Sequence, residues 1–118
     1  MEESIRESLC TYFEDMDSFE AEIKNVTAVL IEMKEESLLG DEMFWNHYLS
    51  LIQRIRKNEQ NEFELEKSDE ITEKSMEKSE QFVKKVAYLR ENNITNLERY
   101  LLAIYFEKHN RKEGGENE

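Results

Sequence analysis

Proline is absent from this chain of 118 residues, and glycine occurs three times, twice in the pair Gly114-Gly115. Turn-rich β architectures depend on both residues for tight reversals, so their scarcity argues against such folds and favours uninterrupted helices. It also excludes the glycine-rich phosphate loops and nucleophile elbows of nucleotide-binding and hydrolytic folds. One cysteine, Cys10, rules out an internal disulfide and points to a reducing compartment. The two histidines, His47 and His109, are too few and too widely spaced to complete a zinc set with it. Three positions before each stands a phenylalanine, Phe44 or Phe106, where a di-iron helical bundle needs glutamate. No cofactor or metal is expected, and no residue set recommends an enzyme.

Positive charge is also in short supply. Sixteen basic residues face 28 acidic ones, a net charge of −12, which repels nucleic-acid phosphates and anionic lipid. No apolar run approaches the length of a membrane span, and the N-terminal MEESIRES is acidic rather than signal-like. The expectation is a cytoplasmic protein with no direct nucleic-acid or membrane partner.

What remains is helical patterning. Hydrophobic residues (38%) and charged residues (37%) are nearly balanced, which fits a thin core under a heavily solvated exterior. The length suits one domain, over residues 1–110, followed by a disordered acidic tail at 111–118. Ile5, Leu9, Tyr12 and Phe13 share one face of a first helix. Asp17 and Glu20 resemble a capping box opening a second, on which Phe19, Ile23, Val26, Leu30 and Met33 form an apolar stripe. Gly40 is placed to end it in a left-handed conformation, and Asp41 to cap a third helix from about Glu42 to Lys57. That helix is apolar over a wide arc, with Phe44, Tyr48, Leu51 and Ile55 beside Trp45, Leu49 and Ile52. It reads as the centre of a bundle.

The polar stretch 57–70 reads as a connection, and Glu62 and Glu66 within it as surface carboxylates. A fourth helix follows to about Glu91, with Ile71, Ser75, Ser79, Phe82, Val86 and Leu89 inward. The triplet EKS recurs at 66–68, 73–75 and 77–79. Ser75 and Ser79 fall on one face, suiting a close helix crossing, a solvated surface or kinase targets. Asn92-Asn93 breaks the helix, and Thr95 with Glu98 forms a capping box for a fifth, which presents Leu97, Leu101, Ile104 and Tyr105. The fold class is therefore all-α, a bundle of five helices. Cys10 reads as a small buried hydrophobe, and Trp45 as a core or dimer contact.

His47 stands at the edge of the third helix's apolar stripe, with Arg54 two turns on. Taken alone it is either a packing residue or a site of modification. The surrounding NHYLSLIQR, residues 46–54, resembles the first signature of the bacterial PTS regulatory domain (PRD), a histidine followed by apolar residues and an arginine seven positions later. LERYLLAIYFEKHN, residues 97–110, resembles the second signature through Glu98, Tyr100, Leu101, Ala103 and Ile104, with Tyr105 in place of the second histidine. The resemblance covers residues 17 to 110. It implies a five-helix bundle that forms a homodimer and modulates transcription, itself or through another regulator. It further implies histidine phosphorylation by the phosphocarrier protein HPr or an enzyme II B-component of the sugar phosphotransferase system. On this resemblance His47 is the phosphoacceptor, Arg54 its support and Tyr105 a degenerate second site. The competing reading keeps the fold and makes the protein an unphosphorylated dimeric adaptor, with His47 a packing residue.

Overall fold

The structure is a computed structural model that describes residues 2–60 and 71–114. Six α-helices occur among them: α1 Glu3–Leu9, α2 Glu20–Glu32, α3 Glu42–Arg56, α4 Glu73–Lys85, α5 Ala87–Glu91 and α6 Asn96–Gly114. Short 3₁₀ turns at Met16–Phe19 and Glu36–Gly40 precede α2 and α3, and no strand occurs among the described residues. The all-α bundle expected from the sequence is what forms. None of these helices is long and apolar enough to cross a membrane.

α3 is the central element. Phe44, Trp45, Tyr48, Leu49, Leu51 and Ile52 are fully enclosed, each contributing roughly 1.5–3 kcal/mol of burial. Phe44, Tyr48, Phe82 and Phe106 form a chain of rings with centroids 5.7–6.3 Å apart, most of them edge to face. Asp41 starts α3, its Oδ1 accepting hydrogen bonds from the N–H groups of Met43 (3.0 Å) and Phe44 (3.2 Å).

Several local expectations are corrected. The helix expected over 71–91 breaks at Val86, whose backbone is extended (φ −81°, ψ 111°). The first N–H of α5, on Ala87, is satisfied by Asn25 Oδ1 from α2 at 3.1 Å. Gly40 does not adopt a positive φ; Lys34 (φ 61°) turns the chain after α2. Asp15 caps the 3₁₀ turn before α2, accepting from the Ser18 N–H; α2 itself has no side-chain cap, and the Glu20 carboxylate is taken by Arg6. Tyr12 is 68% exposed, and Cys10 is exposed rather than buried, because α1 ends at Leu9 and both residues lie beyond it. α6 runs to Gly114, into the stretch read as a disordered tail; residues 115–118 lie outside the described residues. So do Glu62, Glu66 and the first EKS triplet.

α4 and α6 form the most closely packed helix pair. Ser75 and Ser79 are fully buried between them, so of the three readings of these serines the crossing is the one observed. Ser79 Oγ donates to the Arg99 carbonyl at 2.6 Å and Ser75 Oγ to Glu107 Oε1 at 3.0 Å. The same Glu107 oxygen accepts from the Thr72 N–H at 2.8 Å, joining the start of α4 to the end of α6.

The buried face of α6 includes Leu97, as expected, but is otherwise rotated from the one expected. Leu102, Ala103 and Phe106 are fully enclosed, whereas Ile104 is 38% exposed and Leu101 and Tyr105 are half-buried. Glu98, Glu107 and His109 are also buried, on more than one side of the helix, and each has a partner. A buried surface so rich in polar residues is misplaced by counting hydrophobic ones.

Candidate functional site in a cleft between two helices

Four residues of the stretches 46–54 and 97–110 meet where α3 and α6 adjoin. The Asp41 cap and the aromatic core on one side of α3 leave its other side, with Asn46, His47, Ser50 and Arg54, facing a shallow cleft of about 410 Å³. Tyr12, Glu42, Met43 and Tyr105 complete the lining.

The His47 ring lies against that of Tyr105, centroids 5.4 Å apart and planes tilted by 32°. Tyr105 is held in turn by an edge contact with Phe44 at 5.8 Å. His47 is half-buried, and its Nε2 is enclosed without a hydrogen-bond partner. Burial, and secondarily the Arg54 charge, lower its pKa, with Glu98 opposing, so the neutral imidazole is favoured. Burial and the nearby Asp41 raise that of Tyr105, leaving it a neutral phenol at ordinary pH.

Arg54 is paired across to α6. Its Nε and Nη2 donate to the two carboxylate oxygens of Glu98, both at 2.9 Å. Glu98 is fully enclosed, which makes this bidentate pair a buried one at its acidic end. The capping box at the start of α6 is rearranged accordingly. The Glu98 N–H donates to Thr95 Oγ1 at 3.3 Å, while the Thr95 N–H donates to Gln60 Oε1 at 3.1 Å. The sequence marked Glu98 as a cap and missed its partnership with Arg54. The signal was a carboxylate on the inner face of a helix, which requires a cation.

His109 falls within the stretch 97–110, four residues past Tyr105, and is placed apart from His47. Its Nε2 is 2.9 Å from Asp41 Oδ2, beside Lys108 at 3.6 Å, in a second cleft of about 380 Å³ that shares Glu42 and Met43 with the first. Burial pushes the Asp41 carboxyl up, but the His109 bond, the Phe44 N–H and the nearby positive charges together hold it below its ordinary value. This cluster joins the end of α6 to the cap of α3.

Comparison with protein-family models, curated proteins and solved structures finds no match to this chain.

Proposed function

We propose that this chain is a PRD-like regulatory module phosphorylated on His47, by the phosphocarrier protein HPr or an enzyme II B-component, that modulates transcription by pairing with itself or another regulator. One observation carries the reading. The residues that the resemblance marks, far apart in the chain, adjoin in space: His47 lies on Tyr105 and Arg54 on Glu98. In the transfer, an imidazole nitrogen of His47 attacks phosphorus as the bond from phosphorus to the donor's histidine or cysteine breaks. The lowered pKa keeps the accepting imidazole neutral and nucleophilic. The product brings nearly two negative charges to a chain of net charge −12, enough to bias an association equilibrium. Tyr12 and Met43, 68% and 65% exposed, supply an apolar rim on which such an association forms.

The test is incubation with phosphoenolpyruvate and the general phosphotransferase proteins. Acid-labile label is expected on the wild-type chain and none on His47→Ala. Label that persists in the variant moves the site elsewhere.

The enclosure of His47 Nε2 favours a second reading, the dimeric adaptor, because an acceptor needs an open nitrogen. Absence of label from every donor, with dimerisation retained, decides for the adaptor.

A further inference from the structure

The Arg54 guanidinium offers more than the bond to Glu98. A guanidinium directs five N–H groups outward from a planar fork. Glu98 takes the edge formed by Nε and Nη2. Glu98 is fully enclosed, whereas the Arg54 side chain is 25% exposed and lines the cleft. The Nη1 group lies away from that occupied edge, and a planar fork serves two oxyanions on two edges at once. The clamp by Glu98 also fixes the side chain in advance, lowering the ordering cost of a second ligand.

The surroundings are donors. Ser50 precedes Arg54 by one helical turn and Asn46 precedes Ser50 by another, and both line the cleft. His47, backed by Tyr105, forms the adjoining wall. The one carboxylate among the lining residues is Glu42, at the opposite end of α3 and about 18 Å of helix rise from Arg54.

We propose that the Arg54 end of the cleft is a seat for a phosphate dianion, held on the outer guanidinium edge with Ser50, one turn away, as the flanking donor. The proposal rests on the reading of this cleft as a phosphoryl site and adds a reversible binding step before any covalent one. Arg54 and Glu98 together are neutral, so donor geometry rather than net charge holds the ligand. It follows that neutralising Glu98 leaves the full charge of Arg54 to the phosphate and tightens binding. An ion pair that serves only the fold gives no phosphate response at all.

The experiment is a titration of the full chain with inorganic phosphate at constant ionic strength, followed by NMR of backbone amides and the Arg54 Nε–H. Saturable shifts centred on His47, Ser50 and Arg54 are expected. Arg54→Lys keeps a cation for Glu98 but loses the second edge, and should weaken binding about tenfold, the scale of one charge-assisted hydrogen bond. Glu98→Gln should tighten it about tenfold. Phenyl phosphate is the second ligand. Equal binding means that the seat accepts a phosphoryl group carried on a larger molecule, and binding of inorganic phosphate alone confines the seat to the free ion. Shifts that never saturate, or an unchanged midpoint in Arg54→Lys, overturn the proposal; the latter decides even where Glu98→Gln does not fold. No donor protein enters this titration, so its failure is distinct from a failure of phosphotransfer to His47.

Discussion

Asp41 Oδ2 lies 2.9 Å from His109 Nε2, so the residue that caps α3 also fastens the last turns of α6. Both side chains are less than a tenth exposed, 9% for Asp41 and 8% for His109. Removing the imidazole leaves a shielded carboxylate with one partner fewer. His109→Ala should therefore cost about 1–3 kcal/mol in urea unfolding, the penalty for a buried polar group deprived of a bond. Phosphoryl labelling of His47 should be unaffected, since the imidazole of His109 is bound in the neighbouring cleft.

Acid should destabilise the fold in two steps. The folded pKa of His47 is lowered from 6.5, so below that value the unfolded chain binds the proton more readily. Stability is fully present above pH 6.5 and declines as pH falls through the window below it. Asp41 is also lowered, from 3.8, so its contribution is present above that value and is lost as pH falls further. Urea midpoints measured against pH should show both declines. His47→Gln should flatten the first and leave the second.

Truncating one partner of the Arg54–Glu98 pair should be more harmful than replacing both. Arg54→Met leaves a fully enclosed carboxylate without its cation and should cost about 3 kcal/mol. The double variant Arg54→Met/Glu98→Leu should recover most of that loss. A double variant no more stable than the single one would show that the pair is not the source of the penalty.

Ser79 has no room to grow. Its side chain is fully buried and its hydroxyl bonds the Arg99 carbonyl across the α4–α6 crossing. Ser79→Leu should cost about 1–3 kcal/mol by overpacking, and thermal melting reads this directly. Ser79→Ala, which gives up one hydrogen bond, should cost about 1 kcal/mol.

Cys10 should react with iodoacetamide in the native protein as readily as in urea, because it is exposed. Circular dichroism of the alkylated chain should match that of the unmodified one. A thiol protected until the chain unfolds would mean that the N-terminal segment is covered in solution.

Periodicity makes α3 and the inner face of α4 legible in the sequence, because apolar and small residues alone cover those surfaces. On α6 the same criterion finds Leu97 but misplaces the rest of the buried face. There Glu98, Glu107 and His109 point inward, and each is satisfied by a residue distant in sequence: Arg54, Thr72 and Asp41. Local pattern carries no record of such partners. The break at Val86 was hidden for a similar reason, since the amide that it exposes is bonded by Asn25, 62 residues from Ala87. Of the candidate site, His47, Arg54 and Tyr105 were marked in sequence. The link from Arg54 to Glu98 belongs to tertiary structure.

The sole tryptophan of the chain, Trp45, is fully enclosed, and its indole N–H donates to the Leu39 carbonyl at 3.0 Å. Its fluorescence therefore comes from one site with one environment, two residues from His47. Emission from the folded protein should lie well to the blue of that from the unfolded chain, with no second indole to blur the change. Events at the cleft have a built-in optical reporter, and the unfolding midpoints above are readable without adding a dye.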